Sequence, residues 1–545
     1  MIKRSFALVL ATVLLAAGCS TPEPEPVPRP DGVQFSDLRS ADAAELRDGG
    51  TLTLAAAGWP TSFNPWTSEG AATDTAADLL APTLGSAVRP TEEGDWETDP
   101  DYAESVEIVA DDPLTVEVRL NPDAVWQDGT PIGAADLAAF VEAVRNPATA
   151  AVAHPAYELV QEVRPGADDT SYQVVFSRPT ADWPAAVYPP LPQSVSKDPQ
   201  LFAGGFAETA VPANGPFVVD RIDRATGTIE LSRNPRWWGQ TPLLERIVWR
   251  VAEPEVLAEA YDADEVDGLL PEAAIGADVD DTDRRYAVDT SWVQLTLNGG
   301  RGPLSDPAVR QAVAAAVDRP AIADAMAEAS GGATEAMGST VLLPGQRGAA
   351  AAAPKRDVQQ AAALLDGAGW AEGEDGVRAR DGQQLELRFP VPEGDVEGAD
   401  RADLVAEQLA EVGISVRVED VPAEDFQESV VVPLAFDIVG FAWDASAFPI
   451  EEATARLTPA DSNRNFTGIA TEPVTRAFEA ARGELNDERF IEAVNAADAA
   501  AAEQASIIAL APVPAVMVLD PAVRNLGPST FAPVDWTIVG FEAED

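Results

Sequence analysis

The chain has very few soft or imidazole ligands: one cysteine, Cys19, and one histidine, His154, in 545 residues. Multi-histidine metal sites, Cys–His nucleophile pairs and zinc ribbons are excluded, because each needs several such groups. Lysine is scarce as well, at Lys3, Lys197 and Lys355 only. Lys and Arg together number 36 against 91 Asp and Glu, a net charge of −55, and no basic run interrupts the acidity. A chain that grips nucleic acid through its phosphates needs a basic stripe, so no nucleic-acid partner is expected. The acidity fits a solvated, salt-adapted surface or a compositional bias and says nothing of the fold. What is present in quantity is core. Hydrophobic residues make up 46% of the chain, enough at this length for about three domains.

The first residues, MIKRSFALVLATVLLAAGCS, carry a basic start at Lys3 and Arg4 and an apolar run from Phe6 to Ala17. That run has signal-peptide length and is short for a membrane span. Leu15-Ala16-Ala17-Gly18-Cys19 resembles a bacterial lipobox, which implies that Cys19 is lipidated and becomes the mature N-terminus. An ordinary signal peptide with an incidental Cys is the alternative. The following STPEPEPVPRPDG is proline-rich and reads as an extended tether. No later segment is long and apolar enough to span a bilayer, so the body is expected outside the cytoplasm.

The body is expected to start near Gly49 and to be α/β. Thr51 to Leu54, Leu114 to Leu120, Tyr172 to Phe176 and Thr228 to Leu231 read as strands by alternation. Asp306-Pro307 reads as a helix cap and first turn, and Asp357 with Gln360 as a capping box. Leu385 to Phe389, a helix from Arg401 to Val412, Gly413 as its C-cap, and a strand Ile414 to Val418 form a βαβ unit with a parallel strand pair. Residues 348–354 read as an Ala-rich loop.

Several separated runs carry a resemblance. In order they are Gly58-Trp59-Pro60-Thr61-Ser62-Phe63-Asn64-Pro65, Trp126-Gln127-Asp128-Gly129-Thr130-Pro131, Asn214-Gly215-Pro216-Phe217, Arg233-Asn234-Pro235-Arg236-Trp237-Trp238-Gly239, Leu297-Asn298, Val309-Arg310-Gln311-Ala312 and Ala363-Leu364-Leu365-Asp366-Gly367-Ala368-Gly369-Trp370. Each alone is weak and reads mostly as scaffold; Asp128-Gly129-Thr130-Pro131, for instance, is turn chemistry before a helix. In this order, over roughly residues 50 to 530, they resemble the bacterial extracytoplasmic solute-binding proteins of family 5, the oligopeptide, dipeptide and nickel group that serves ABC importers.

The resemblance implies a two-lobed periplasmic-binding-protein clamp of mixed sheets flanked by helices, with an extra subdomain in lobe one. The implied divisions are a signal peptide at 1–18, lipidated Cys and tether at 19–48, lobe one at 49–64, 186–288 and 516–545, an inserted subdomain at 65–185, and lobe two at 289–515. It implies a peptide or other small solute as ligand, an ABC permease and ATPase as partners, a lipid anchor in the membrane, and no cofactor, resident metal or chemical turnover. A same-fold lipoprotein acting in sensing or envelope assembly is the alternative.

Phe436 to Asp444 resembles the lobe-two strand that carries the family's ammonium-binding aspartate, which points to Asp444. The residue type alone also fits a loop-capping carboxylate, and the following Ala445-Ser446-Ala447-Phe448-Pro449 lacks the family's acidic residue. Trp443 is expected to line a side-chain pocket or the core. Trp59 lies after the first strand, where clefts of α/β sheets open, with Phe63 and Asn64 beside it. Asn214 is expected at the cleft edge, and Trp292 and Asn298 near the hinge. An enzymatic triad has only His154 to draw on; it follows an Ala-rich stretch without a nucleophile-elbow motif and reads as an exposed bystander.

Overall fold

The computed structural model describes residues 32–73, 75–274 and 283–543. Cys19, the signal peptide and most of the tether lie outside them. The expected strands form at Thr51–Ala57, Leu114–Leu120, Ser171–Phe176 and Thr228–Arg233, because each alternates buried and open positions or is buried on both faces. Gly129 holds φ +87° and the Asp128 carboxylate accepts the Thr130 amide at 2.8 Å, the turn read from the sequence.

The helix Pro307–Ala316 begins where Asp306 accepts the Ala308 amide, and Val358–Gly367 begins where Asp357 accepts the Gln360 amide. The parallel pair Glu386–Pro392 and Ser415–Val421 is present. Its connecting helix spans Val396–Ala410, five residues earlier than the pattern predicts. Asp395 caps it by accepting the Gly398 amide at 2.8 Å, and the exposed Val396 hides the first turn from a periodicity reading.

One eight-stranded mixed sheet runs through the molecule. Its order is Ile438–Asp444, Arg284–Leu297, Ile507–Leu519, Gly268–Leu269, Thr51–Ala57, Arg246–Ala252, Thr228–Arg233 and Phe217–Asp223. Thr51–Ala57 is parallel to both of its neighbours, and the remaining pairs are antiparallel. A separate four-stranded antiparallel sheet, which includes Leu114–Leu120 and Ser171–Phe176, lies within the segment 65–185 that the sequence reading assigns to an insertion.

Core composition separates two bodies. One apolar cluster joins Leu52, Leu54, Trp249 and Met517 to Leu114, Phe140 and Tyr172, so the inserted segment shares its core with lobe one. A second cluster draws on Leu295, Leu387 and Ile438 and a third on Trp292, Ile450 and Phe478; these form the body called lobe two, with Phe35, Ala181 and Phe531 of the first body packed against the third cluster. Among the described residues, the long strands Arg284–Leu297 and Ile507–Leu519 run from one to the other.

Candidate functional site

The two long strands cross between the lobes at an irregularity. Val288 faces Pro514 and Trp292 faces Pro512, so Asp289, Thr290 and Ser291 oppose Val513 alone. Proline has no amide to donate and is tolerated in a ladder at such bulges. The Asp289 carboxylate accepts the Ser291 amide at 2.9 Å, and the Thr290 carbonyl accepts the Ala445 amide at 2.8 Å. Ser291 donates its hydroxyl to Asp444 at 2.8 Å. Asp444 therefore sits exposed at the end of the edge strand, directly on the bulge.

Beside it lies a cation–aromatic cluster. The Arg456 guanidinium stands 5.4 Å from the ring centroids of both Trp292 and Trp443. Phe466 stacks on Trp443 at 5.9 Å and 12°. Arg456 is 4% exposed, and burial pushes its pKa down to about 10. Its Nε reaches the Glu452 carbonyl only at 3.4 Å, and its Nη1 has no partner among the described residues. Burying a cation costs several kcal/mol, while each aromatic face returns roughly 0.5–2 kcal/mol. The two rings, with the fields of Glu452 and Asp444, hold the charge in place.

The lobes also touch directly. Glu451 of lobe two accepts the Thr180 hydroxyl at 2.7 Å and pairs with Arg178 at 3.0 Å, both from the inserted segment, and with its own lobe's Arg482 at 2.8 Å. The Glu451 amide donates to Asp182 at 2.7 Å, and the Ala181 amide to the Arg482 carbonyl at 2.8 Å. Burial drives the Asp182 carboxyl well above the usual range and raises that of Glu451. His154 is a correction to the sequence reading. Its side chain is 14% exposed, its Nε2 meets the Phe448 carbonyl of lobe two at 2.8 Å, and its Nδ1 accepts the Ala156 amide at 3.2 Å. That pattern needs the neutral ring with the proton on Nε2, and burial lowers its pKa accordingly.

A cavity of about 780 Å³ lies between the lobe-one sheet and the inserted segment and reaches the bulge at Val288, Asp289 and Thr290. Its size is in the range of small-molecule sites. Among the described residues, no group of three or more His, Cys, Asp or Glu is arranged to hold a metal ion.

Of the residues singled out from the sequence, Asp444, Trp443 and Trp292 come together. Trp59 stands apart, half-buried under the Arg224 guanidinium at 4.7 Å. Phe63 is fully buried. Three asparagines are engaged with the chain itself. Asn64 donates to the Phe202 carbonyl at 2.9 Å, Asn214 exchanges 3.0 Å bonds with both backbone groups of Gly85, and Asn298 donates to the Leu434 and Phe436 carbonyls at 3.0 and 3.1 Å. Sequence reasoning missed Ser291, Asp289 and Arg456. Asp289 and Ser291 both precede the singled-out Trp292 by at most three positions, and Arg456 lies on the helix that follows Asp444; those positions were the available signal.

Comparison with known proteins follows the same lines. Residues 97–464 match the family model described as bacterial extracellular solute-binding proteins, family 5 Middle. The chain is 30% identical over 550 residues to the oligopeptide-binding protein OppA of Mycobacterium tuberculosis, covering 98% of this chain and 92% of that protein. Among solved structures it superposes on the periplasmic EDTA-binding protein EppA with a TM-score of 0.80 at 22% identity, covering 93% of this chain and 99% of that one. It superposes on lactococcal OppA, solved closed on an endogenous peptide, with a TM-score of 0.72 at 18% identity, covering 90% and 100%.

Proposed function

The chain belongs to the bacterial extracellular solute-binding proteins of family 5, and from that premise we propose that it captures peptides or peptide-like solutes by lobe closure and delivers them to an ABC permease. The observation that carries this reading is the placement of Asp444, Ser291 and Trp443 on the bulge where the two lobes join. A ligand seated there touches both lobes only when they are shut, so its binding energy favours the shut state. Asp444 takes the free α-ammonium through a charge-assisted hydrogen bond, while backbone groups and water leave side-chain choice broad. Nothing in this role requires a covalent step. OppA of M. tuberculosis, which is named as oligopeptide-binding, supports the ligand class.

We place the protein on the outer face of the cell membrane, tethered through lipidated Cys19. Membrane fractionation of wild type and Cys19→Ser tests this: release of the variant into the soluble fraction agrees, and equal partitioning refutes it.

The ligand assignment is tested by calorimetry with a peptide and its N-acetylated form. Hydrogen bonds to charged groups contribute about 1.5–3 kcal/mol, so acetylation should weaken binding about 10- to 100-fold. In Asp444→Asn that difference should shrink to a few-fold. An unchanged difference removes Asp444 from amine recognition.

A further inference from the structure

The hairpin of Val88–Pro90 and Trp96–Thr98 lies in the inserted segment, and its tip reaches lobe two. The tip is tied to itself. The Thr91 amide donates to the Asp95 carbonyl at 2.9 Å, and the Gly94 amide to the Thr91 carbonyl at 3.0 Å. Val88 and Trp96 pack into the lobe-one core cluster, and Trp96 meets Trp183 edge-on at 5.1 Å. The hairpin is therefore a firm part of lobe one with a shaped end.

That end meets the lobe-two loop 343–347. The Arg347 amide donates to the Glu93 carbonyl at 3.0 Å, and the Arg347 guanidinium pairs with Asp95. The pair is half-exposed and contributes little by itself. The fit is made at Gly94, which holds φ +73°. A Cβ there would stand 2.9 Å from Nε2 and 3.0 Å from Cγ of Gln346. Glycine lets the tip approach that closely because it has no side chain and tolerates the positive φ.

Gln346 is 4% exposed, and both of its polar ends are used. Its Oε1 accepts the Leu343 amide at 3.0 Å, which shapes the loop, and its Nε2 donates to the Ser446 carbonyl at 3.1 Å. Ser446 follows Asp444 by two residues. The loop 445–449 is thus held at Ser446 by Gln346, against which the hairpin tip packs, and at Phe448 by His154.

We infer that the hairpin is a lid: its tip docks on loop 343–347 as the lobes shut, and Gln346 is a positioning residue that carries the docking to the loop behind Asp444. The inference rests on the lobe-closure reading and assigns that closure a latch. Bound ligand leaves after the tip lifts.

The test places Glu93→Cys and Arg347→Cys in a chain with Cys19→Ser. The backbone hydrogen bond between these positions brings them within reach of a disulfide, whose Cα atoms stand about 4.4–6.8 Å apart. With Ala-Ala-Ala bound, oxidation should form the crosslink faster than without it, and the oxidised protein should release the tripeptide about 10-fold more slowly than the reduced one. Equal crosslinking rates, no crosslink, or an unchanged release rate overturns the lid. Gln346→Met keeps the length of the side chain and loses both hydrogen bonds. It should cut the affinity margin between a free and an N-acetylated peptide by about 3-fold or more; an unchanged margin overturns the positioning role. The margin is a ratio within one variant, so a general loss of stability leaves it unmoved. A wild type without a margin removes Asp444 from amine recognition and this role with it, and the lid is then judged by the disulfide alone. If the tripeptide does not bind, the peptide reading has failed, and the lid is judged without ligand by small-angle X-ray scattering. A radius of gyration that falls on oxidation and recovers with reductant upholds it; an unchanged radius overturns it.

Discussion

At the scale of single residues, the deciding groups have partners far away in the chain. His154 and Phe448 are separated by 294 positions, and nothing near His154 announces the contact. Asn64, Asn214 and Asn298 show the converse. An amide in a loop or at a strand end reads as a ligand contact, yet each of these closes on backbone carbonyls brought up by the fold. Residue type was legible and the partner was not. His154 yields a prediction with a definite sign. The ring stays neutral in the contact, and burial lowers its pKa below the ordinary value of 6.5. Closure therefore has its full stability above about pH 6.5 and loses it as pH falls below that, by at most tenfold per pH unit for one proton. The groups facing the ring are Asp182 at 3.6 Å and, from lobe two, Glu452 and Arg464. Asp182 and Glu451 are raised by burial and work in the opposite direction at lower pH. The His154 share is the difference between wild type and His154→Gln. Peptide affinity measured from pH 7.0 to 5.5 should fall more steeply in wild type than in the variant. Parallel curves would show that the ring does not report on closure.

At the scale of elements, the helix Ile450–Leu457 links the parts. It follows Phe448-Pro449 and has no side-chain cap of its own. Its Glu451 amide is instead capped by Asp182, 269 residues earlier and in the other lobe. About one and a half turns on, the same helix carries Arg456 against Trp292 and Trp443. If the proposed closure brings this cap in, shutting the lobes orders the helix that carries Arg456. Losing an N-cap costs about 0.5–2 kcal/mol. Asp182→Ala should thus release peptide about 2- to 30-fold faster in stopped-flow dissociation, while Asp182→Asn, which still accepts an amide, should stay within about 3-fold of wild type. Identical rates for all three would mean the cap is idle. Local signals served well for elements that close on themselves, such as the Asp306-Pro307 and Asp357 helix starts. They failed for Val396–Ala410, whose first turn depends on a cap at Asp395 and an exposed Val396.

At the scale of the whole molecule, the order of weak motifs was enough to read the two-lobed architecture, because turns and strand ends recur in a set sequence even where no single one is diagnostic. The route between the lobes was less legible. It depends on the three-against-one bulge at Asp289, Thr290 and Ser291 opposite Val513, flanked by Pro512 and Pro514. An irregular ladder has fewer hydrogen bonds to strain than a regular one, so bending concentrates there. His154, Asp182 and Glu451 make contacts across the gap. Under the proposed closure, opening breaks them together, and ligand binding energy adds to them in favour of the closed lobes.

Spin labels at Glu162→Cys on the inserted segment and Glu479→Cys on lobe two, both exposed, in a chain with Cys19→Ser, would measure that motion by double electron–electron resonance. Lobe closure should shorten and narrow the distance distribution when a binding peptide is added. An unchanged distribution with peptide bound, or conversion of the peptide to another product, would contradict it.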